Sequence, residues 1–256
     1  MKLLLLSLAG LALFLWPFFG LGVPQDAAAV AVAVLAVLAL VLMETSARRL
    51  DSRGLALLAA LAAIDTGLRL ALITGVGGFS GVFLMILCGG YVFGASYGFL
   101  VGAFSILLSA IVGGEVGPWL PYQVFAAGWV GAVAGLAGRR LGAAPGRVDV
   151  LLLAGVGLAM GFVFGALLDL SIWTPLQGAP ALSWRPGMPA AEVAAHFGRF
   201  YLLTSLAYDG FRAAGNALMV LLLGPPILAA LARLRARFSF EVVAIPELEA
   251  QAPPLQ

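Results

Sequence analysis

Charged residues are scarce in this sequence. Aspartate, glutamate, lysine and arginine make up 10% of its 256 residues, whereas soluble domains contain about 25%. Hydrophobic residues account for 62%. Several apolar runs with few or no charges exceed about 18 residues, the length needed to cross a lipid bilayer. These features exclude an ordinary soluble domain and predict an all-α polytopic membrane protein.

Cysteine and histidine each occur once. Cys88 has no second cysteine with which to form an internal disulfide, and its apolar neighbours predict a small buried side chain. His196 alone does not provide a multi-histidine metal site. The GxxxxGK[ST], HExxH and GxSxG motifs of phosphate-binding, metalloprotease and hydrolase sites are absent. We therefore expect no enzymatic activity, no metal and no cofactor.

The apolar runs predict about eight transmembrane helices. They cover residues 1–23, 27–43, 55–73, 82–96, 97–112, 122–138, 149–173 and 200–231. Two of them form an N-terminal unit, residues 1–50, and six form a core, residues 51–238. The segment 174–199 contains four prolines, which disfavour a regular helix, although residues 190–196 are predicted to form a short surface helix. The proline-rich tail, residues 239–256, is predicted to be disordered.

The distribution of positive charge predicts the orientation in the membrane. Cytoplasmic loops are enriched in lysine and arginine. With the N-terminus inside, only Arg185 and Arg199 fall in outer loops, and both termini are cytoplasmic. The ten cytoplasmic positions are Lys2, Arg48, Arg49, Arg53, Arg139, Arg140, Arg147, Arg233, Arg235 and Arg237.

Several ionisable groups interrupt the apolar spans. Because a charge inside a bilayer is costly, each group needs a partner or an aqueous cavity. Asp65 and Arg69 are four residues apart, and Asp209 and Arg212 are three apart, so each pair lies on one helical face. They are either structural ion pairs or the lining of an outward-facing cavity. The other polar residues at this outer level are Glu115, Gln123, Asp169 and Asn216.

Aromatic residues concentrate at the same outer level. Tryptophan and tyrosine are common at membrane interfaces, and the same rings are also able to stack on a flat ligand. The sequence does not separate these two roles. The residues are Phe79, Trp119, Tyr122, Trp129, Trp173, Trp184 and Tyr208.

Small residues recur at helical spacing in two places. Ala56, Ala59, Ala60 and Ala63 give two AxxxA spacings on the third predicted span. Small residues four apart let a second helix approach closely in lipid. A glycine series in the next two spans predicts closely packed neighbouring helices; its members are Gly89, Gly90, Gly94, Gly98 and Gly102.

One long string carries a family resemblance. The residues FLMILCGGYVFGASYGFLVGAFSILLSAIVGGEVGPWLPYQVFAAGWVGAVAG begin at Phe83. Within them, a GPWxPYQ-like island precedes a GWxGxxAG span. This pattern resembles the substrate-binding S components of energy-coupling factor (ECF) vitamin transporters. The close match covers about a quarter of the chain, and the two N-terminal helices depart from the family's six-helix minimum.

The resemblance implies a six-helix S-component core over about residues 54–232, in the bacterial cytoplasmic membrane. Such a subunit captures a micronutrient from outside and works with a transmembrane T subunit and two ABC-type ATPases. The family's AxxxA-bearing helix contacts the T subunit, which implies that role for Ala56, Ala59, Ala60 and Ala63. The outer segments 75–80, 115–123 and 174–199 would close over the ligand. The candidate ligand contacts are Arg69, Phe79, Glu115, Trp119, Tyr122, Gln123, Trp173, Asp209, Arg212 and Asn216.

The ligand and two other functions remain open. A corrinoid such as cobalamin is favoured by the branch of the family and by the large outer loop, with riboflavin, thiamine or another heterocycle as alternatives. A self-sufficient transporter would use Asp65, Asp169 or Asp209 as a proton carrier. A membrane enzyme or assembly factor would use Glu115 or Asp209. Uptake that does not depend on partner ATPases would distinguish the self-sufficient transporter from an ECF S component. Turnover of a lipid-linked substrate would distinguish the membrane enzyme from both.

Overall fold

The fold is described from a computed structural model. The structure describes residues 2–19, 50–71, 83–140, 145–176 and 178–238. The predicted span 27–43, the loop 75–80 with Phe79, and the tail 239–256 lie outside the described residues, as do Arg48 and Arg49.

The described residues contain eight α-helices and two short 3₁₀ segments, Trp16–Phe19 and Gly138–Arg140. The α-helices are α1 (Lys2–Leu15), α2 (Ser52–Ala71), α3 (Leu84–Phe93), α4 (Ala95–Gly113), α5 (Leu120–Ala137), α6 (Arg147–Trp173), α7 (Ala190–Thr204) and α8 (Leu206–Phe238). The prediction of an all-helical chain holds for this part of the sequence.

Five of these helices, α2, α4, α5, α6 and α8, are long and apolar enough to cross a membrane. The fold is therefore consistent with a membrane protein. Helix α3 has 10 residues, which corresponds to about 15 Å of rise against a hydrocarbon core about 30 Å thick. The predicted count of eight spans therefore stays a prediction.

The last predicted span begins later than expected. Residues 200–204 belong to α7, and Ser205 interrupts the helical conformation before α8 begins. The Ser205 N–H donates to the Tyr201 carbonyl and closes α7, while the Ser205 carbonyl accepts the Asp209 N–H and opens α8. The predicted surface helix is confirmed, and it extends to Thr204.

Glycine contacts hold α3, α4 and α5 together. A Cβ atom added to Gly98 or to Gly90 would overlap the backbone of Gly131 in α5, and one added to Gly102 would overlap that of Ala127. These three glycines confirm the predicted close packing, because only a hydrogen side chain fits between the helices.

The other two glycines of that series act differently. Gly94 has φ of 96°, a left-handed conformation that glycine adopts without steric cost. It forms the turn that reverses the chain between α3 and α4. Gly89 faces the side chain of Leu61 in α2 instead of another backbone.

A second glycine seam joins α6 to α8. Gly157, Gly161 and Gly165 follow one another at four-residue spacing on α6. An added Cβ would overlap the Ala213 backbone at Gly161 and the Asp209 carboxylate at Gly165. This seam brings a polar stretch of α8 directly against the backbone of α6.

Helix α1 packs on α5 and shares its core. The Trp129 indole N–H donates to Ser7 Oγ at 3.1 Å, and Gly10 lies against the rings of Phe125 and Trp129. Three side chains of α1 belong to the hydrophobic core of the bundle: Leu6, Leu13 and Phe14.

The bundle has two chemically distinct ends. Helices α2, α4 and α6 finish at one end, where α3, α5 and α8 begin; we call it the polar end. At the opposite end, Tyr97 Oη donates to the Gly54 carbonyl at 3.2 Å, and Arg235 donates to the Val92 carbonyl at 2.9 Å. The candidate ligand contacts among the described residues lie at or near the polar end.

Candidate functional site

Arg69 is the centre of the first polar cluster. Its guanidinium pairs with Glu115 at 3.0 Å and donates to Ser109 Oγ at 2.9 Å. The end of α2 is thereby tied to the end of α4 and to the loop before α5. The alternative in which Arg69 pairs with Asp65 is wrong, because the ion pair of Arg69 is formed with Glu115.

Asp65 instead accepts a hydrogen bond from the backbone at the start of α3. Its carboxylate is fully buried, and its Oδ1 accepts the Met85 N–H at 3.1 Å. The free N–H groups and the dipole of a helix N-terminus favour a negative charge there. One turn along α2 from Arg69, Asp65 therefore fixes the entry to α3. Its Oδ2 has no hydrogen-bond partner among the described residues.

Asp209 and Arg212 form the second polar cluster. Their ion pair, at 2.5 Å, confirms the predicted i,i+3 pair on α8. The guanidinium lies over the rings of Phe164 and Tyr208, at 5.4 and 4.9 Å from their centroids. Cation–π contacts of this kind stabilise a guanidinium that is removed from water.

Four further polar residues lie on the same helix as this pair or on the adjoining segments. Tyr201 of α7 interacts with the Asp209 carboxylate, and Ser205 interacts with that of Asp169 on α6. Burial raises the pKa of the Tyr201 hydroxyl, and the Asp209 carboxylate near it raises the pKa further. The Tyr201 hydroxyl therefore stays protonated at neutral pH. Asn216, two turns along α8, is buried, and its Nδ2 has no partner among the described residues.

The two clusters share the polar end but do not merge. The Phe83 and Phe164 rings meet edge to face at 4.8 Å. Phe164 also carries Arg212, and Phe83 directly precedes the helix that Asp65 caps. An aromatic contact between α3 and α6 thus separates the Arg69 cluster from the Asp209 cluster.

The candidate aromatic residues have different surroundings. Trp119 is 46% exposed, and its indole donates to the Glu115 carbonyl at 3.2 Å. Tyr122 is buried edge to face against Phe14, and Gln123 is half-buried. Of these side chains, that of Trp119 is the one open to a ligand.

Trp173 is enclosed by the segment that follows it. It is fully buried, donates to the Leu182 carbonyl at 2.6 Å, and lies 5.2 Å from the Phe197 ring of α7. His196 reaches back from α7, with Nδ1 at 3.0 Å from the Ser183 carbonyl. Residues 178–204 therefore form a folded cap on the polar end, with Trp173 as its anchor.

An aromatic groove of about 420 Å³ lies beside this cap. Its walls come from the segment after α1, from α6 and from the cap, including the α7 part of the cap. The Phe18 and Trp184 rings meet edge to face at 5.6 Å. The lining includes Phe18, Leu170, Trp184, Met188, Val193 and Phe197.

Helix α2 turns the four alanines of its AxxxA spacings away from the bundle. Leu58, Leu61, Ala62, Asp65 and Thr66 are its buried residues. Ala56, Ala59, Ala60 and Ala63 are all exposed. The two AxxxA spacings therefore lie on a face that no described helix covers.

The sequence-based predictions do not include some of these contacts. Ser109, the partner of Arg69, sits in an apolar run and carries no local signal. The glycine seam of α6 has a local signal, because Gly157, Gly161 and Gly165 share the four-residue spacing of small residues on other helices. The described residues contain no group of three or more histidine, cysteine or acidic side chains able to hold a metal ion.

The described fold and site are consistent with a helical membrane protein. Comparisons of the chain with family models, curated proteins and solved structures found no match.

Proposed function

We propose that this chain is the substrate-binding S component of an ECF-type ABC importer. It captures a micronutrient at the polar end, which faces outward, and delivers it inward with a T subunit and two ATPase subunits. A corrinoid such as cobalamin is the favoured ligand. The family resemblance of the glycine-rich string is the starting point of this proposal.

The observation that carries the proposal is the alanine face of α2, which none of the described helices covers. Elsewhere in the bundle, small-residue faces are occupied by a neighbouring helix, as between α4 and α5 and between α6 and α8. The alanine face of α2 is apolar and extends over about two helical turns, which is enough for a second helix to pack against it. Its four alanines are nevertheless exposed. Because small residues promote helix contact in lipid, this face fits a helix of another membrane subunit.

The polar end supports the ligand-binding part of the proposal. It combines an exposed indole, Trp119, with a charged pair formed by Arg69 at the end of α2 and Glu115 in the loop before α5. The aromatic groove beside the cap adds further ring surfaces. Mostly apolar walls with a few placed polar groups are typical of small-molecule sites.

Co-purification with the T subunit and the ATPases tests the partner face. Ala60→Trp places a large ring on the face and is expected to abolish co-purification. The matched control is Gly155→Trp on α6, where an added Cβ meets nothing within 4 Å. Retained ligand binding in Ala60→Trp would show that the fold is intact. An Ala60→Trp protein that still recruits the ATPases would contradict the assignment of this face.

A proton-coupled transporter is the second candidate function. It is favoured by Asp65, whose buried Oδ2 has no partner among the described residues. Uptake that an uncoupler abolishes, and that does not need the ATPase subunits, would support this candidate over the importer subunit.

A further inference from the structure

Two buried carboxyl groups face each other across the α6–α8 seam. Asp169 of α6 is 9% exposed and Asp209 of α8 is 2% exposed. The Oδ2 atoms of both are buried without a hydrogen-bond partner among the described residues. Unsatisfied buried polar atoms are rare in folded proteins, and each requires a physical explanation.

The charges at this seam do not balance if both carboxyl groups are ionised. Within the described part of the chain, the groups that act on Asp169 are Ser205, Asp209 and Arg212. Arg212 is the one cation among them, and it is committed to Asp209 Oδ1. Tyr201, which faces Asp209 from α7, is neutral. A second carboxylate would leave an uncompensated negative charge in an apolar helix interface, where isolated charges are strongly disfavoured.

The packing leaves no room for a bulky counter-ion between the Asp209 carboxyl group and the α6 backbone at Gly165, one turn before Asp169. A single Cβ atom added to Gly165 would overlap all three atoms of the Asp209 carboxyl group. An organic cation or a hydrated metal ion is much larger than a methyl group. A proton is the one cation that needs no space of its own.

We infer that Asp169 holds a proton at neutral pH, while Asp209 stays ionised as the partner of Arg212. The seam is then electrically neutral, with one carboxylate, one guanidinium and one neutral carboxyl group. Asp169 is thus a proton-binding site within the α6–α8 interface. This inference does not depend on the proposed importer function.

Infrared spectroscopy of the purified full-length protein at pH 7 tests the protonation state directly. A neutral carboxyl group has a C=O stretching band separate from the carboxylate bands. We expect Asp169→Asn to lose the area of one such band, and the exposed-site control Asp51→Asn to lose none. Measurements in an Asp65→Asn background remove any contribution of the other buried carboxyl. An equal band area in the wild type and in Asp169→Asn would overturn the inference.

Carbodiimide labelling identifies the residue if Asp169→Asn does not fold. Dicyclohexylcarbodiimide reacts with protonated carboxyl groups from the apolar phase. In the wild type we expect one adduct, mapped to Asp169 by peptide mass spectrometry, with a yield that falls as pH is raised. In Asp209→Asn, Arg212 is free to pair with Asp169, and the yield at Asp169 should fall at least tenfold. An adduct on Asp209 in the wild type, or no neutral carboxyl band at all, would overturn the inference.

Discussion

Gly165→Ala is the substitution whose effect follows most directly from the packing of α6 on α8. The new methyl group would occupy the position of the Asp209 carboxyl group. Either the helices move apart, or Asp209 leaves its contact with Arg212. Both responses disturb a buried ion pair whose partners are 2% and 12% exposed.

The expected magnitude combines three contributions. Overpacking a close-packed interface costs about 1–3 kcal/mol, and breaking a buried ion pair costs about 3–5 kcal/mol. Replacing glycine by alanine within a helix stabilises the helix by about 0.5–1 kcal/mol, which offsets part of this cost. Because the two costs are alternative responses, the net destabilisation is about 1–4 kcal/mol. At about 2–4 °C per kcal/mol for domains of similar length, this lowers the apparent melting temperature by roughly 2–16 °C.

Thermal unfolding of the purified protein, followed by size-exclusion chromatography, measures this effect. Gly155→Ala is the matched control on the same helix, since an added Cβ there meets nothing within 4 Å. It should be neutral or slightly stabilising. If Gly165→Ala melts at the same temperature as Gly155→Ala, the reasoning about the seam is refuted.

Two further predictions concern the polar end. Arg69→Ala and Trp119→Ala should each weaken ligand binding in a titration of the purified protein, and an unchanged affinity would remove that residue from the site. Trp173→Ala should cost about 3–5 kcal/mol and speed proteolysis within residues 178–189, because the cap loses its anchor; cleavage at the wild-type rate would contradict that role.

Helix positions followed from the sequence where apolar runs were long. Apolar length and prolines are local properties, and they predicted α2, α4, α5 and α6 with small errors at their ends. The start of α8 was placed too early because residues 200–204 are apolar enough to continue a span. Their separation from α8 depends on the capping hydrogen bonds of Ser205, which hydrophobicity does not encode.

Pairing between helices was less predictable than the helices themselves. The Asp209–Arg212 pair lies within one helix and was found by spacing. Arg69, by contrast, pairs with Glu115, which is 46 residues away, and not with Asp65 on its own helix. Asp65 was unavailable because α3 begins beside it. Choices of this kind depend on which helix ends meet, and one sequence does not provide that information.

Native mass spectrometry of the chain co-expressed with a T subunit and two ATPase subunits tests the central claim most directly. The account predicts a complex of one copy of this chain with those three subunits, and a micronutrient-sized ligand bound after growth in vitamin-rich medium. A folded chain that is recovered alone, without any small molecule, would contradict it.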